Sequence, residues 1–584
     1  MDSEKSLSYY FNEAASLNST NSKNKIKIAF LSSFTINGLS EILKVKCAKK
    51  NIDSKIYVGG YNQHNQEIIN ENSELYSFKP DITFLLIDIR NILGNLFFFP
   101  YSISNHERKI FVNQKLSEIM NLITSYQKNS SSKLIISNFN IPTNSPFGIA
   151  ESQDEFGFHE MIQTFNLKLQ ENLLQLESVY LYDFNQFVRK FGENNIFNYR
   201  NFFFGDVKIE LNHLPHLANE FFSYIIAHLG LSKKCIVLDL DNTLWGGIIG
   251  EDGFDGIHLG LTPPGNVFHE FQSHLKSLSD RGIILAINSK NNFNDAIRVI
   301  REHPHMVLKE NDFACMIINW ENKVDNMKAI SNELNIGLDS IVFFDDDPVN
   351  REFMRKNLPE VTTPELSSDS SELSKTLLDM NEFSTFKITD EDLQRSKTYS
   401  AQKRRIELEK STTNLDDFLN SLDMRLTIKK ATSFTIPRIS QLTLKTNQFN
   451  LTTKRYQEKK IKELVKNSHM LVECIQVEDK FGDNGITGVY IINKGNPTEW
   501  ELDTFLLSCR VMGREIEKGI MNYIISIAKK NNVEKIKAKY IPTEKNQPIE
   551  KFLKSCNFEK IDDYWIFQLN KSFKNPNFLK LTVE

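Results

Sequence analysis

The chain has 584 residues, too many for one hydrophobic core, so about three domains of ordinary size are expected. Its formal net charge is -4, which excludes the basic excess that nucleic-acid binding requires. No run approaches the roughly 20 apolar residues that span a bilayer, and the first residues lack the apolar core of a secretory signal. We therefore expect no nucleic acid and no membrane among the partners.

The cysteines are scattered and form no Cys-x-x-Cys pair, which argues against a zinc site or a disulfide framework. A reducing cytoplasm is the simplest location for such a chain.

Residues 1–24 are polar and predict a mobile or helical tail, and residues 25–230 predict an α/β domain with a parallel sheet. Strand-like apolar runs at 26–31, 83–89 and 134–137 are separated there by segments of helix length.

Residues 231–366 predict a second, doubly wound α/β domain. Its strands are expected at 235–240, 283–287 and 340–344, and the first is a continuous apolar run, typical of a strand buried on both faces. Residues 367–422 are charged and predict a helical connector, and residues 423–584 predict an α+β domain.

Two carboxylates, Asp239 and Asp241, follow the first strand of the second domain. Alternation along an extended chain places them on one side, where their mutual repulsion requires a cation. Mg²⁺ suits oxygen ligands and also brings a phosphate. Asp239 can then attack phosphorus to form an aspartyl phosphate, while Asp241 protonates the leaving oxygen and later activates water.

Downstream polar residues complete this prediction. Ser289 follows the next strand and can hydrogen-bond a phosphoryl oxygen, and Lys323 can neutralise charge on the phosphoryl group. Asp345 and Asp346, with Asp347 behind them, follow a third strand and are expected as metal ligands together with Asp239 and Asp241. The alternative for a single Asp-x-Asp motif is a helix cap or a turn.

This order resembles the haloacid dehalogenase (HAD) superfamily. The run from Asp239 to Gly253, DLDNTLWGGIIGEDG, and the run from Arg281 to Asn291, RGIILAINSKN, are similar to its FkbH-like branch, subfamily IIIC. The resemblance implies that Thr243 and Asn291 bind the phosphate together with Ser289 and Lys323. Asp347 and Asn350 depart from the family pattern, in which Asn and Glu are usual.

The FkbH-like resemblance implies glyceryl transfer. Such proteins take a 1,3-bisphosphoglycerate-like acyl phosphate, remove phosphate and load the glyceryl group onto an acyl carrier protein for polyketide-type biosynthesis. The insert at 245–253 is too short for a cap domain, so the arm of a carrier protein can enter. A covalent glyceryl intermediate would need a thiol, for which Cys235 and Cys509 are candidates, although packing is expected for Cys235.

The element order after residue 423 resembles the GNAT acyltransferase fold. Arg510, Gly513 and Arg514 fall between its fourth strand and central helix, where the resemblance implies a pyrophosphate loop for phosphopantetheine or a coenzyme A thioester. Glu515 departs from that pattern, because an acid there repels phosphate. Retention of the fold without activity remains the alternative.

The first domain is similar to the SGNH-hydrolase-like region that precedes some FkbH-like domains. Ser32 and Ser33 follow its first strand without the Gly-Asp of the hydrolase loop, and candidate partners lie far along the chain at Asn138, Asn140, His213 and His216. We therefore expect a docking role for this domain rather than catalysis.

Together these patterns predict an α/β multidomain enzyme, a phosphatase and glyceryl transferase that uses Mg²⁺. The expected partners are an acyl carrier protein and a phosphorylated three-carbon acyl donor. The alternative is a HAD phosphomonoesterase acting on a small metabolite, joined to a GNAT-like domain that acylates a sugar or an amine.

Overall fold

The computed structural model describes residues 6–17, 22, 24–393, 405, 408, 411, 412, 414–543, 545–570, 576 and 578–584. The chain divides into two compact units, Asp2–Ile225 and Ile226–Glu584. The boundary lies close to the predicted one at residue 230.

The first unit is built around a five-stranded sheet in which every pair of neighbours is parallel, in the order β2-β1-β3-β4-β5. The strands are β1 (Asn24–Ser32), β2 (Ile52–Val58), β3 (Ile82–Leu86), β4 (Lys133–Ser137) and β5 (Val179–Tyr182). The helices are α1 (Leu7–Ser16), α2 (Leu39–Lys49), α3 (His64–Ile69), α4 (Glu74–Phe78), α5 (Ile89–Leu93), α6 (Asn105–Asn129), α7 (Phe158–Leu173), α8 (Phe184–Phe191), α9 (Glu193–Ile196) and α10 (Tyr199–Gly205).

The predicted parallel sheet of the first unit is confirmed. All five residues of β3 are buried, as the continuous apolar run of a central parallel strand requires. The strands β2 and β5 were not predicted, because half or more of the residues in each are exposed or half-buried and the apolar signal is weak. The polar first residues are partly helical, since α1 packs on α2 and buries Tyr10. Helix α11 (Leu214–Leu229) crosses the boundary between the units.

The second unit begins with a four-stranded parallel sheet in the order β8-β7-β6-β9. Its strands are β6 (Cys235–Leu238), β7 (Ile284–Ser289), β8 (Phe313–Ile318) and β9 (Ile341–Phe344). The helices that follow are α12 (Ile249–Asp252), α13 (Asn266–Asp280), α14 (Phe293–Glu302), α15 (Lys323–Glu333), α16 (Pro348–Asn357), α17 (Leu373–Leu378) and α18 (Asp390–Leu393). Every residue of β6, β7 and β9 is buried, which confirms the three predicted strands.

The segment predicted as a connector, 367–422, is not a separate linker along its described length. Leu373, Leu377 and Phe383 are buried in the core of the four-stranded sheet. At the other end, helix α19 (Leu415–Ser421) contributes Phe418 and Leu419 to the core of the next sheet. Both ends of the segment therefore belong to the cores of their neighbours, because apolar residues spaced along short helices outweigh the charged composition.

A mixed sheet forms the rest of the second unit. Its main path runs β16-β17-β15-β14-β13-β12-β10-β18, with β11 joined to β14. The strands are β10 (Arg425–Lys430), β11 (Phe449–Asn450), β12 (Met470–Asp479), β13 (Gly482–Asn493), β14 (Glu499–Leu507), β15 (Lys535–Lys539), β16 (Glu559–Ile561), β17 (Tyr564–Gln568) and β18 (Lys580–Val583). The helices are α20 (Ile436–Lys445), α21 (Glu458–Lys466), α22 (Ile516–Lys530) and α23 (Gln547–Ser555). The predicted α+β order is confirmed.

The parallel strands β14 and β15 separate along their length. They pair from Glu499 to Leu502, and beyond that point the chain segment 449–452 lies between them. The amide of Leu451 donates to the carbonyl of Phe505 (3.0 Å), and the amide of Ile541 donates to the carbonyl of Leu451 (3.1 Å). The gap between the two strands is thus filled by the protein's own backbone.

None of the helices in the described ranges combines the length and the apolar character needed to cross a membrane.

Candidate metal centre

The candidate site lies at the carboxyl edge of the four-stranded sheet. Asp239 directly follows β6, and Asp345 directly follows the adjacent strand β9. The backbone amide of Asp239 donates to the carbonyl of Phe344 at 2.9 Å, so the ladder itself holds the two strand ends side by side. This is the edge at which open α/β sheets bind their ligands.

Lys323, the first residue of α15, bridges the two aspartates. Its Nζ lies 2.8 Å from Oδ2 of Asp239 and 2.6 Å from Oδ2 of Asp345. The side chains of Lys323 and Asp345 are 4% and 0% exposed, so water screens these ion pairs little. Burial lowers the pKa of Lys323, but the two carboxylates outweigh it and raise the pKa overall.

Asp346 joins Asp239 and Asp345 in a cluster of three carboxylates. One oxygen from each lies within 4.8 Å of the others. Burial, followed by the charge of Asp239, raises the pKa of both Asp345 and Asp346. The Oδ1 atom of Asp239 is buried and has no hydrogen-bond partner in the described part of the chain. Lys323 supplies one positive charge against three carboxylates, and the all-oxygen donor set suits a hard divalent cation such as Mg²⁺.

Asp241 lies outside this cluster, which departs from its predicted role as a fourth carboxylate ligand. Its Oδ1 accepts from Trp245 Nε1 (2.8 Å) and from the amide of Ile249 (3.1 Å), and its Oδ2 accepts from Asn291 Nδ2 (2.8 Å). Burial raises the pKa of Asp241. These three donors fix the orientation of the Asp241 carboxylate.

The predicted phosphate-binding residues fall into two groups. Thr243 and Ser289 are buried near the strand ends, and the hydroxyl of Thr243 has no hydrogen-bond partner among the residues described. Asn291 instead donates its amide to Asp241, so it positions that carboxylate and is not placed as a direct phosphate ligand. A buried hydroxyl without a partner is costly unless a ligand or water satisfies it.

The short insert after Asp241 folds back on itself. Isolated bridges join Asp241 to Trp245 and Gly246 to His258, and the single-turn helix α12 follows. Gly247 has a φ of 90°, and a Cβ there would meet Oδ2 of Asp252 at 2.4 Å, so this turn needs glycine. In agreement with its length, the insert forms no cap domain.

Three asparagines that the sequence did not single out hold the backbone around Lys323, and two of them, Asn288 and Asn326, are buried. Asn288 donates to the carbonyl of Lys323 (2.8 Å), and Asn326 donates to the side chains of Asn288 (3.2 Å) and Asn319 (2.9 Å). Asn288 and Asn319 lie at or just beyond the ends of β7 and β8. Ser289 was predicted as a site residue because it lies at such a strand end, and the same criterion could have found these asparagines. They fix the helix start that carries the bridging lysine.

Side chains of helix α16 also donate hydrogen bonds to the acidic run after β9. Arg351 is buried and donates from Nη1 to the carbonyls of Asp345 (2.8 Å) and Asp346 (2.6 Å). Asn350, one of the departures from the family pattern, donates to Oδ1 of Asp345 at 3.3 Å. Asp347 accepts from the amide of Val349 and caps α16, so it is not placed as the metal ligand that was expected.

The cysteine candidates differ in what the structure describes. Cys235 is the first residue of β6, at the opposite end of the strand from Asp239, and it is fully buried. Burial raises the pKa of its thiol well above the ordinary value, which disfavours the nucleophilic thiolate. Cys509 begins a short 3₁₀ turn, but its side chain lies outside the described residues.

The predicted pyrophosphate loop of the C-terminal sheet is not assembled as expected. Arg514 is buried, and its guanidinium pairs with Asp479 (3.1 Å) and donates to the carbonyl of Arg510 (2.8 Å). Asp479 also pairs with Arg405 at 2.7 Å. Arg514 is therefore committed to a buried ion-pair network. Gly513 has a φ of 79°, and Arg510 lines a cavity in the same unit.

In the first unit, the structure does not bring a serine and a histidine together in any contact that it shows. Ser33 Oγ accepts from the amide of Asp88 (2.8 Å), and the Asp88 carboxylate forms a buried ion pair with Lys208 at 2.9 Å. Lys208 also donates to Asn140 at 3.1 Å. The rings of two histidines lie instead against Phe191, namely His213 and His216. The basic side chain in this group of polar residues is thus Lys208 and not a histidine.

Two comparisons with known proteins gave matches, one of them to the first unit. Residues 27–226 match the family described as FkbH, N-terminal domain. The chain is also similar to the crystal structure of the N-terminal part of the protein BF1531 from Bacteroides fragilis, which contains a phosphatase domain and is complexed with Mg. The identity is 28%, the match covers 65% of this chain and 99% of that one, and the TM-score is 0.60.

Two further solved structures are weaker matches. A domain from Methanocaldococcus jannaschii is 13% identical over 24% of this chain and 96% of its own, with a TM-score of 0.20. Spermidine N-acetyltransferase from Vibrio cholerae, in complex with CoA and spermine, is 13% identical over 25% and 96%, with a TM-score of 0.21. Both TM-scores are too low to identify a fold.

No curated protein matches the chain. The resemblance noted from the sequence is therefore supported in part: the first unit matches the FkbH N-terminal domain, and 65% of the chain is similar to a magnesium-bound structure that contains a phosphatase domain.

Proposed function

We propose that the chain is a magnesium-dependent phosphatase of the haloacid dehalogenase type, with Asp239 as its nucleophile. The observation that carries this proposal is the cluster at one sheet edge of the buried residues Asp239, Lys323 and Asp345 with the more accessible Asp346. The similarity to the magnesium-bound phosphatase-domain structure supports it.

The proposed reaction has two steps, and Asp241 transfers a proton in each. A carboxylate oxygen of Asp239 attacks phosphorus, while Asp241 donates a proton to the leaving oxygen as the P–O bond breaks. Asp241, now a base, takes a proton from water, which attacks the aspartyl phosphate and releases inorganic phosphate. Lys323 holds Asp239 through their ion pair and balances charge on the phosphoryl group.

Asp239, Asp345 and Asp346 would hold Mg²⁺, which, when bound, supplies positive charge to the phosphoryl oxygens. Thr243 and Ser289 would donate hydroxyl hydrogen bonds to the phosphoryl group.

We further propose that the substrate is a glyceryl acyl phosphate of the 1,3-bisphosphoglycerate type and that an acyl carrier protein receives the glyceryl group. Attack by Asp239 would break the phosphate monoester. The carrier thiol would attack the acyl carbon, forming a thioester as the C–O bond to the second phosphate breaks. The absence of a cap domain over the described site supports access for a carrier arm.

The second candidate is a phosphomonoesterase acting on a small metabolite, joined to a GNAT-like acyltransferase. The burial of Cys235 favours it over a transfer that proceeds through a thioester on that cysteine, whereas the commitment of Arg514 to Asp479 counts against the coenzyme A loop that its acyltransferase part would need.

The two candidates are separated by incubating the full chain with Mg²⁺, a 1,3-bisphosphoglycerate-type acyl phosphate and a holo carrier protein. A carrier mass increase that matches a glyceryl group supports the transfer. Phosphate release without this increase supports the second candidate. The Asp239→Asn variant should release no phosphate from the monoester position in either case, and retained release of that phosphate would exclude Asp239 as nucleophile.

A further inference from the structure

A cavity of about 110 Å³ lies inside the second unit, away from the candidate metal centre. Part of its wall comes from the four-stranded sheet: Lys234 precedes β6, Ile284 begins β7, and residues 336–340 lead into β9. The cavity therefore lies at the amino edge of this sheet. The rest of the wall comes from the last turns of α20, from the residues after it and from the loop after β14.

The lining carries an excess of positive charge. Five of its side chains are cationic, namely Lys234, Arg438, Lys445, Arg510 and Lys545. The lining holds one carboxylate, Asp339, which forms an ion pair with Lys545. A concave site with low-dielectric walls and one sign of charge concentrates the field and attracts the opposite ion.

The carbonyl groups at the end of helix α20 accept hydrogen bonds from a cation that lies outside the cavity lining. Lys445 is the last residue of the helix, and a basic residue there is often explained by the negative end of the helix dipole. The exposed carbonyls are served by another residue, because Arg455 donates to the carbonyls of Thr443 (2.7 Å) and Leu444. Arg455 is not part of the cavity lining.

Two buried polar groups shape the floor of the cavity. Arg438 is 6% exposed, and its guanidinium is oriented by the carbonyl of Ile486 (3.1 Å) and by Gln441. The Oε1 atom of Gln448 is buried and lacks a hydrogen-bond partner within the described ranges. A buried acceptor of this kind is satisfied by a hydroxyl or water donor. The cavity thus offers cations for an anion.

The cavity and the metal centre are too far apart to share one small ligand. Lys234 and Asp239 flank the same strand and are five residues apart, about 16 Å at ~3.3 Å per residue. The fully buried side chains of β6 lie between them. A ligand held by Lys234 therefore does not reach the nucleophile.

We propose that this cavity is a second anion site, which binds a phosphate dianion, either inorganic phosphate or the phosphate of a hydroxylated monoester. The bound anion would be contacted from both sheets of the second unit, by Lys234 on one side and by Lys445 and Arg510 on the other. The site is independent of catalysis at Asp239.

The test is calorimetric titration of the full chain in EDTA, where turnover is prevented, with sodium phosphate and with glycerol 3-phosphate as probes. One equivalent of at least one probe should bind saturably. The Lys234→Gln/Lys445→Gln variant should weaken binding by about tenfold or more, because two charge-assisted contacts are lost. Tighter binding of glycerol 3-phosphate identifies the ester as the ligand class, and equal or weaker binding identifies inorganic phosphate.

The matched control is Lys466→Gln/Lys530→Gln, which removes two exposed lysines of the same unit and the same total charge. This variant should bind like the unmodified chain. Equal affinity of the two double variants, or the lack of saturable binding of both probes, would overturn the proposal. If the cavity variant fails to fold by circular dichroism, Arg510→Gln takes its place. Phosphate release is not the readout, so failure here leaves the proposed phosphatase untouched.

Discussion

Replacing Lys323 by methionine tests the charge balance of the metal centre. The side chains of Lys323, Asp239 and Asp345 are 4%, 10% and 0% exposed, so removing the lysine leaves two buried carboxylates without their shared partner. Breaking a buried ion pair from one side costs about 3–5 kcal/mol. For a region of this size, roughly 1 kcal/mol shifts the melting temperature by about 2–4 °C, so a fall of about 6 °C or more is expected.

The same substitution should also reduce catalysis. In the proposed mechanism Lys323 balances charge that develops on the phosphoryl group, and loss of one such group typically lowers kcat by about 10²–10³. Melting is followed by differential scanning fluorimetry in EDTA and in millimolar Mg²⁺, and phosphate release is measured colorimetrically. Mg²⁺ should recover part of the lost stability, since a cation at the three carboxylates replaces the missing charge, but it should not restore the rate.

The control for this prediction is Lys356→Met. Lys356 pairs with Glu352 at 3.3 Å, and their side chains are 72% and 55% exposed, so its loss should leave melting and phosphate release unchanged. If Lys323→Met melts like this control and keeps its rate within tenfold, the bridging lysine does not organise the centre.

Two further substitutions test other parts of the structure. Asp479→Asn removes the charge shared by Arg405 and Arg514 and should destabilise the C-terminal sheet by about 3 kcal/mol in urea unfolding; an unchanged midpoint would contradict the buried network. Cys235→Ala should keep phosphate release per folded molecule and any carrier loading, because the thiol is buried at the far end of β6; loss of loading alone, with release kept, would restore Cys235 as an acyl carrier.

The strand ends could be predicted from the sequence, whereas the contacts made there could not. Asp239 and Asp345 follow continuous apolar runs, and parallel strands bring their carboxyl ends to one edge, so their proximity follows from pattern alone. The orientation of Asp241 depends on Trp245 and Asn291, which lie 4 and 50 residues away in the chain. No local pattern encodes such contacts.

Two other segments differ from their prediction, one because of its charged composition and one because of its place in a loop. The stretch predicted as a connector contains Leu373 and Leu377, four residues apart and on one helix face, and these bury themselves in the neighbouring core. Arg514 was expected at a phosphate because of its place in a loop. Its actual partner, Asp479, lies on a distant strand, and only the folded sheet brings the two together.

The packing of α17 sets a limit on how the phosphatase region can be isolated. A fragment that stops at residue 366 would lack Leu373, Leu377 and Phe383, which belong to its core, and would expose the apolar side chains that they cover. We expect such a fragment to aggregate during expression. A fragment that extends to residue 393 retains helices α17 and α18.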